Sequence, residues 1–420
     1  MVIFPIANSD NTLEEAISER NSIIDILRLV YAIVVIFGHS FALSRSPAGF
    51  SDPVMNLIGF DYSSALAVDG FFLLSGILVS QSWVRNPSLG AFVLSRALRV
   101  WPGLIFCLLV TIFLFLPLSK EAVSSKYSYI SHIFDPAIAS YFINNTLFGS
   151  QEFKVSGYFV DSKYGINGSL WSLRGEIIMY IFVGILGFLG LYKKGLEILA
   201  TIIVVLIASI FLMHDKVFPI IGYNGQFVAP VLFFCAGMLL YILRSLIRVG
   251  LIHVIFILFL YLMTDGYISK VAFYVFFMAG NVMLIGLDQK IKTLKMGGDL
   301  SYGIYLYGFP IQHLIGQYFH QANPYQHFML SITFVLPFAW ISWRFIEKPS
   351  IFASKTLLNK LLIFFEVIVR WAKDNKPYQQ TSICAKNFVY PLLMLVLLFA
   401  NTIFFHYIYL SLIHISEPTR

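Results

Sequence analysis

Asp25, Arg28 and His39 lie in one apolar stretch, residues 23–43, that holds no other Asp, Glu, Lys, Arg or His. Arg28 and His39 are 11 residues apart in the chain. At 100° per residue they fall roughly 20° beyond three full turns, on one helix face and about 16 Å apart along its axis. A guanidinium can grip an anion through a two-pronged hydrogen bond. An imidazole can take a proton from a hydroxyl or carry a transferred group. Asp25, at i−3, can pair with Arg28. A second combination is Asn167-Gly-Ser-Leu-Trp171-Ser172-Leu-Arg174-Gly-Glu176. Arg174 and Glu176 enter another apolar run there, and Glu176 is expected at about the depth of His39, as the carboxylate that orients its ring. Arg96-Ala-Leu-Arg99 sets two guanidiniums on one face ahead of Pro102, a residue suited to a first helical turn. That pair reads as a basic anchor or as an anion clamp. Asp69 precedes Phe71-Phe72-Leu-Leu-Ser75-Gly76, where Gly70 and Gly76 permit close approach. Ser301-Tyr302-Gly-Ile-Tyr305-Leu, His313 and Glu347 complete the set, and close packing would equally account for them. No residue is assigned to a metal.

The elements that carry these residues are membrane helices. Of 420 residues, 58% are apolar and 12% charged, with 41 Phe and 23 Tyr, and mean hydropathy is +0.78. Soluble domains run at about 45–50% apolar and about 25% charged, and a soluble fold has too little interior to hide this much apolar surface. Disorder, a disulfide scaffold and a cytosolic enzyme are excluded; three cysteines make no disulfide framework. A helix crosses the hydrocarbon core in about 20 residues and satisfies its own backbone. On that basis eleven spans are expected, at 23–43, 64–84, 100–118, 169–191, 196–213, 226–243, 249–264, 268–287, 300–320, 327–346 and 388–409. An ionisable side chain inside a span costs about 2.5–3.5 kcal/mol on the insertion scale, so each is a candidate site.

With the N-terminus in the cytoplasm, the Lys and Arg residues other than Arg420 divide twenty to eight in favour of the cytoplasmic side, as the positive-inside rule requires. The net charge of +7 is thereby spread over short loops, which argues against nucleic-acid binding. Residues 1–22 carry four acidic residues and are no signal peptide; they form a cytoplasmic segment. Residues 119–168 form a long outer segment. Residues 350–387 are amphipathic and Lys-rich, suited to lying on an anionic membrane surface. Residues 388–409 form an extra helix. Residues 410–420 resemble an in-frame translation of a sequencing adaptor and are set aside from the fold.

Taken in order, these motifs resemble the membrane-bound acyltransferase 3 family, which decorates bacterial cell-surface glycans. Arg28-x10-His39 is similar to its first-helix basic–His motif. Phe71-Phe-Leu-Leu-Ser75-Gly76 looks like its second-helix FF-x-x-SG pattern, and Arg96-x-x-Arg99 with Pro102 like its cytoplasmic Arg pair. Trp171-Ser172-Leu-x-x-Glu176, Ser301-Tyr302-Gly-x-Tyr305-Leu306 and Glu347-Lys-Pro349 resemble its WSL-x-x-E, SY-x-x-YL and E-x-P signatures. One departure concerns His, which often follows the YL in the family. Here Tyr307-Gly308 follow, and His313 stands one or two turns further on.

The resemblance implies an all-α polytopic fold, a ten-helix bundle over 23–349 with the eleventh helix added, in the bacterial inner membrane. It implies an acyl group, usually acetyl, brought on a cytoplasmic donor such as acetyl-CoA, with no bound cofactor, and delivered to a glycan or lipid-linked glycan on the outer side. O-antigen of lipopolysaccharide, peptidoglycan, capsule, exopolysaccharide and small glycosides all remain open as acceptors. In this scheme Arg96, Arg99 and Arg28 hold the donor. His39 acts as general base or transient acyl carrier, and Glu176 orients it. Asp25, Asp69, Ser75, Trp171, Ser172, Arg174, Ser301, Tyr302, Tyr305, His313 and Glu347 support the acceptor or the site. Some relatives carry an extra helix leading to an outer SGNH-type domain; an added anchor helix is the simpler alternative for 388–409. A transporter or flippase would also bear intramembrane charges, although no internal repeat or paired broken helices are visible. A non-catalytic membrane partner is the third reading.

Overall fold

The computed structural model describes residues 12–18, 22–44, 49–124, 135–148, 152–155, 165–194, 197–207, 227–248, 250–287 and 298–353. The amphipathic segment, the eleventh span and residues 410–420 therefore lie outside the described residues, apart from 350–353, which continue a helix. The described part is all-α and suited to crossing a membrane many times. Its principal helices are α1 (Ser22–Leu43), α2 (Ser63–Arg85), α3 (Leu89–Val110), α4 (Trp171–Phe188), α5 (Glu197–Ile207), α6 (Val228–Ile242), α7 (Leu251–Met263), α8 (Gly266–Gly286), α9 (Ser301–Tyr318) and α10 (Pro324–Ser342). Among the described residues six helical stretches are long and apolar enough to cross a membrane: α1, α2, α8, the run Gly168–Phe188 that contains α4, and the runs that extend α3 to Val123 and α10 to Ala353. Helices α5, α6 and α7 are shorter and apolar.

The bundle is organised around α2, which packs against α1, α4 and α6, while α9 packs against α1, α10 and α3. The crossing of α2 and α6 depends on two glycines. A Cβ on Gly76 would lie 2.2 Å from the Phe234 carbonyl oxygen, and one on Gly237 would lie 2.2 Å from that of Leu73. The two backbones touch there, which only small residues permit. This supplies the packing reason for Gly76 in the Phe-Phe-Leu-Leu-Ser-Gly motif. On the outside, Ile252, Phe256, Leu262 and Ile268 are exposed, as side chains are that face hydrocarbon.

Helix α3 departs from expectation. It begins at Leu89, where the Ser88 hydroxyl accepts from the Ala91 amide, and Pro102 lies inside it rather than in its first turn. A membrane helix tolerates an interior proline because its neighbours satisfy freed backbone groups. The carbonyl that Pro102 leaves without its amide is that of Leu98; two residues on, Tyr302 of α9 donates its hydroxyl to the Val100 carbonyl at 2.8 Å and ties the two helices together. Arg96 and Arg99 consequently sit about two and about three turns into the helix, within the bundle, and not on its surface.

Several polar ties define the two ends. Residues 12–18 form a short capped helix, Leu13–Ile17, within the segment 1–22 expected to be cytoplasmic. It docks beside the ends of α2 and α6, with Arg85 Nη2 donating to the Ser18 carbonyl at 2.7 Å and Arg244 paired to Glu14 at 3.1 Å. At the opposite end of α2, the buried Asp52 caps the helix Pro53–Ile58 and accepts from the Ser63 hydroxyl at 2.8 Å. One carboxylate thus holds the loop that leads into α2.

Candidate functional site

Two cavities lined by described residues carry the candidate site. One, of about 1220 Å³, is lined by His39 of α1, Asp69 of α2, Trp171 of α4, Tyr305 and Phe309 of α9, and by Asp61, Tyr62, Phe153 and Lys154 from the connecting segments. The other, of about 110 Å³, is lined by Arg28, Arg96 and Arg99 with Ser75, Ser172, Glu176, Tyr180, Ser301, Tyr302 and Tyr305. Val68 and Tyr305 line both. The cavities therefore abut, with the basic groups on one side and the imidazole on the other. Helix α1 delivers both groups: its one face carries Arg28 to the arginine cavity and His39 to the larger one.

In the arginine cavity the guanidiniums have different partners. Arg28 Nη1 and Arg99 Nη2 both reach Oδ2 of Asp299, at 2.6 and 2.5 Å. Oδ1 of the same carboxylate accepts from the Ser301 amide at 3.2 Å and the Ser301 hydroxyl at 2.5 Å. Burial alone would raise the Asp299 pKa. The two guanidiniums and the Ser301 hydroxyl outweigh it and hold the carboxyl well below the usual carboxylate range. Arg96 has a different setting. Its Nη2 donates to Ser82 Oγ at 3.2 Å, and its guanidinium lies 5.7 Å from the Tyr180 ring centroid. Its Nε is buried and meets no acceptor among the described residues.

Two expected pairings are corrected by this arrangement. The partner of Arg28 is Asp299, not Asp25. A pair at i−3 is easily read from spacing, but the carboxylate that reaches this guanidinium comes from the start of α9. Glu176 does not meet His39 either. Its Oε1 accepts from Ser75 Oγ at 3.3 Å and from the Tyr180 hydroxyl, and it lines the arginine cavity only. The reason is depth. Gly168 and Trp171 line the histidine cavity, and Glu176, five residues after Trp171, lies about 7.5 Å further along α4.

At the shared wall, the Tyr305 hydroxyl donates to the Ser169 carbonyl at 2.7 Å and lies 2.5 Å from the Ser172 hydroxyl. The WSL-x-x-E and SY-x-x-YL segments are thus stitched together where the cavities meet. The His39 ring packs edge-on to Phe309 at 5.0 Å, and its nitrogens meet no hydrogen-bond partner among the described residues. Asp69 is 2% exposed and faces the same cavity. His313 is buried and also packs on Phe309, ring centroids 5.0 Å apart, and lines neither cavity. Arg174 lines neither cavity. Glu347 sits in a π-helical turn after α10, 1% exposed, and accepts from Ser342 Oγ at 2.8 Å. Among the described residues no group of three His, Cys, Asp or Glu could hold a metal ion.

Sequence reasoning missed Asp299. Its signal was an Asp two residues ahead of Ser301 just before a helix, a spacing suited to an Asx turn. Its reach to two distant arginines had no local trace.

The family model described as an acyltransferase domain, Acyl_transf_3, matches residues 21–344. The chain belongs to the acyltransferase 3 family. It is accordingly an acyltransferase of the class that transfers groups other than aminoacyl groups. Among the relatives of this member is an O-acetyl transferase of Shigella phage Sf6, 28% identical over 347 residues, covering 81% of this chain and 99% of the relative. Another is nodulation protein 10 of Rhizobium leguminosarum bv. viciae, 26% identical over 375 residues, covering 83% and 98%. No solved structure gives a significant match.

Proposed function

We propose that this family member is an O-acetyltransferase that works across a bacterial inner membrane. It takes acetyl from acetyl-CoA on the cytoplasmic side and gives it to a hydroxyl of a cell-surface glycan, or its lipid-linked precursor, on the outer side. The observation that carries this reading is the pair of abutting cavities, arginines in one and His39 in the other, with Tyr305 in the wall between them.

Arg28, Arg96 and Arg99 receive the donor's phosphates, for which guanidiniums are suited. The pantetheine arm then carries the thioester end from these arginines past Tyr305 towards His39. Ser75 and Glu176 belong to this donor side, with Ser301 and Tyr302. The larger cavity, with Trp171, Tyr62, Phe309 and the carboxylates of Asp61 and Asp69, suits a sugar. Aromatic rings cover its apolar faces, and carboxylates accept from its hydroxyls. Asp25, His313, Arg174 and Glu347 serve as supporting residues that shape the helices around the two cavities.

In the chemical step, His39 takes the proton from the acceptor hydroxyl as its oxygen bonds to the thioester carbonyl carbon. The tetrahedral intermediate collapses, the C–S bond breaks, and the thiolate leaves with a proton returned by the imidazole. The variant route places the acetyl on His39 first and on the sugar second. A phage O-acetyl transferase among the relatives supports acetyl as the group.

The test is transfer in membranes. Radiolabel from acetyl-CoA is expected to reach glycan in membranes containing the full chain, and His39→Ala is expected to abolish the transfer while the protein still inserts. Full activity in His39→Ala would reject the role of the imidazole. Export of a glycan precursor without consumption of any acyl donor would favour a transporter instead.

A further inference from the structure

We infer that Asp299 is a positioning residue for the acyl donor: one carboxylate that registers Arg28 and Arg99 against α9 so that their free N–H groups receive the donor's phosphates. The inference rests on the acetyl-CoA reading above. It starts from the geometry of a single oxygen. Oδ2 of Asp299 takes one N–H from each guanidinium, at 2.6 and 2.5 Å. Oδ1 is tied to the amide and hydroxyl of Ser301. The carboxylate is therefore held at the start of α9 and cannot follow the arginines if they move.

Asp299 itself does not line the arginine cavity, whereas Arg28, Arg99 and Ser301 do. It stands behind the arginines, so a ligand in the cavity would meet the guanidiniums without displacing it. Each guanidinium has five donors, and Asp299 uses one of each, leaving the rest for a ligand. The charge balance points the same way. Three arginines and Glu176 line the cavity. Asp299 cancels one positive charge from behind, and the remaining excess suits an anion.

Without the carboxylate, two guanidiniums that share one oxygen would repel each other. Their side chains are 20% and 18% exposed, and a largely buried cation deprived of its partner seeks another. Glu347 interacts with Arg99 from outside the cavity, and Glu176 lines the cavity itself; an arginine turned to Glu176 would occupy the donor's place. Removal of Asp299 is therefore expected to weaken the donor, even though it removes a negative charge.

The test compares Asp299→Asn with the wild type in membranes, using acetyl-CoA turnover. Adenosine 3′,5′-bisphosphate and pantetheine serve as competing fragments, the first carrying phosphates and the second none. Asn keeps the acceptor for Ser301. The KM for acetyl-CoA and the inhibition constant of the bisphosphate are expected to rise about tenfold, the usual scale for a lost charged hydrogen bond. The kcat is expected to stay within about threefold, and inhibition by pantetheine to be unchanged. Equal weakening of both fragments would make Asp299 merely structural and overturn the inference. So would an unchanged or lowered KM, the latter marking Asp299 as a competitor of the donor. If Asp299→Asn fails to accumulate in the membrane, Asp299→Ser, whose hydroxyl can still accept from the amide two residues on, takes its place with the same expectations. Absence of wild-type turnover would reject the acetyl-CoA reading itself, a failure distinct from a wild-type enzyme whose phosphate recognition ignores Asp299.

Discussion

The contrast between Asp25 and Asp299 separates what a local pattern reveals from what a fold assembles. Asp25 sits three residues from Arg28, and helical spacing makes it the obvious partner. Asp299 is 271 residues away in the chain, and only the packing of α9 on α1 and α3 brings it there. Glu176 repeats the lesson at another position. Its residue type and its motif were legible, but its depth was not, because depth depends on where α4 begins relative to α1. Since Glu176 hydrogen-bonds Ser75 and Tyr180 rather than His39, Glu176→Gln is expected to leave the pH midpoint of acyl transfer unchanged. It should still lower thermal stability in detergent, by about 1–2 kcal/mol for the weakened buried hydrogen bonds. A displaced pH midpoint in that variant would show that carboxylate and imidazole do interact.

At the scale of elements, apolar runs of about 20 residues were sufficient to locate the helices that carry the site, because a membrane span has to be both long and apolar. They were insufficient for α3. Pro102 resembles a helix start, yet the helix runs unbroken through it from Leu89 to Val110. Glu347 was readable as a residue, but not the π-helical turn that aims it inwards; that turn has no distinctive sequence. The α2–α6 crossing is a stringent element-scale test. In Gly76→Ala the new methyl would meet the Phe234 carbonyl, so the helices must separate. A loss of about 1–3 kcal/mol is expected, the usual cost of overpacking, read as reduced thermal stability of the purified protein. An unaltered melting temperature would mean that the two backbones are not in contact there.

At the scale of the whole molecule, the orientation deduced from Lys and Arg can be probed with two exposed leucines at opposite ends. Leu57 and Leu246 are 80% and 78% exposed, and Cys107 and Cys235 are buried. In a chain with Cys384→Ser, a membrane-impermeant maleimide is expected to label Leu57→Cys in intact spheroplasts, and Leu246→Cys only after lysis. The reverse pattern would invert the protein and move the arginines to the outer side. The two abutting cavities carry one more consequence. A shaft open to water at both ends would conduct protons and drain the gradient of an energised membrane. The Tyr305 ring, anchored by its hydroxyl to the Ser169 carbonyl and beside Ser172, stands with Val68 where that shaft would run. A wall this thin can let an acyl group be handed across while still insulating the cell, so chemistry on the far side need not cost electrical leakage.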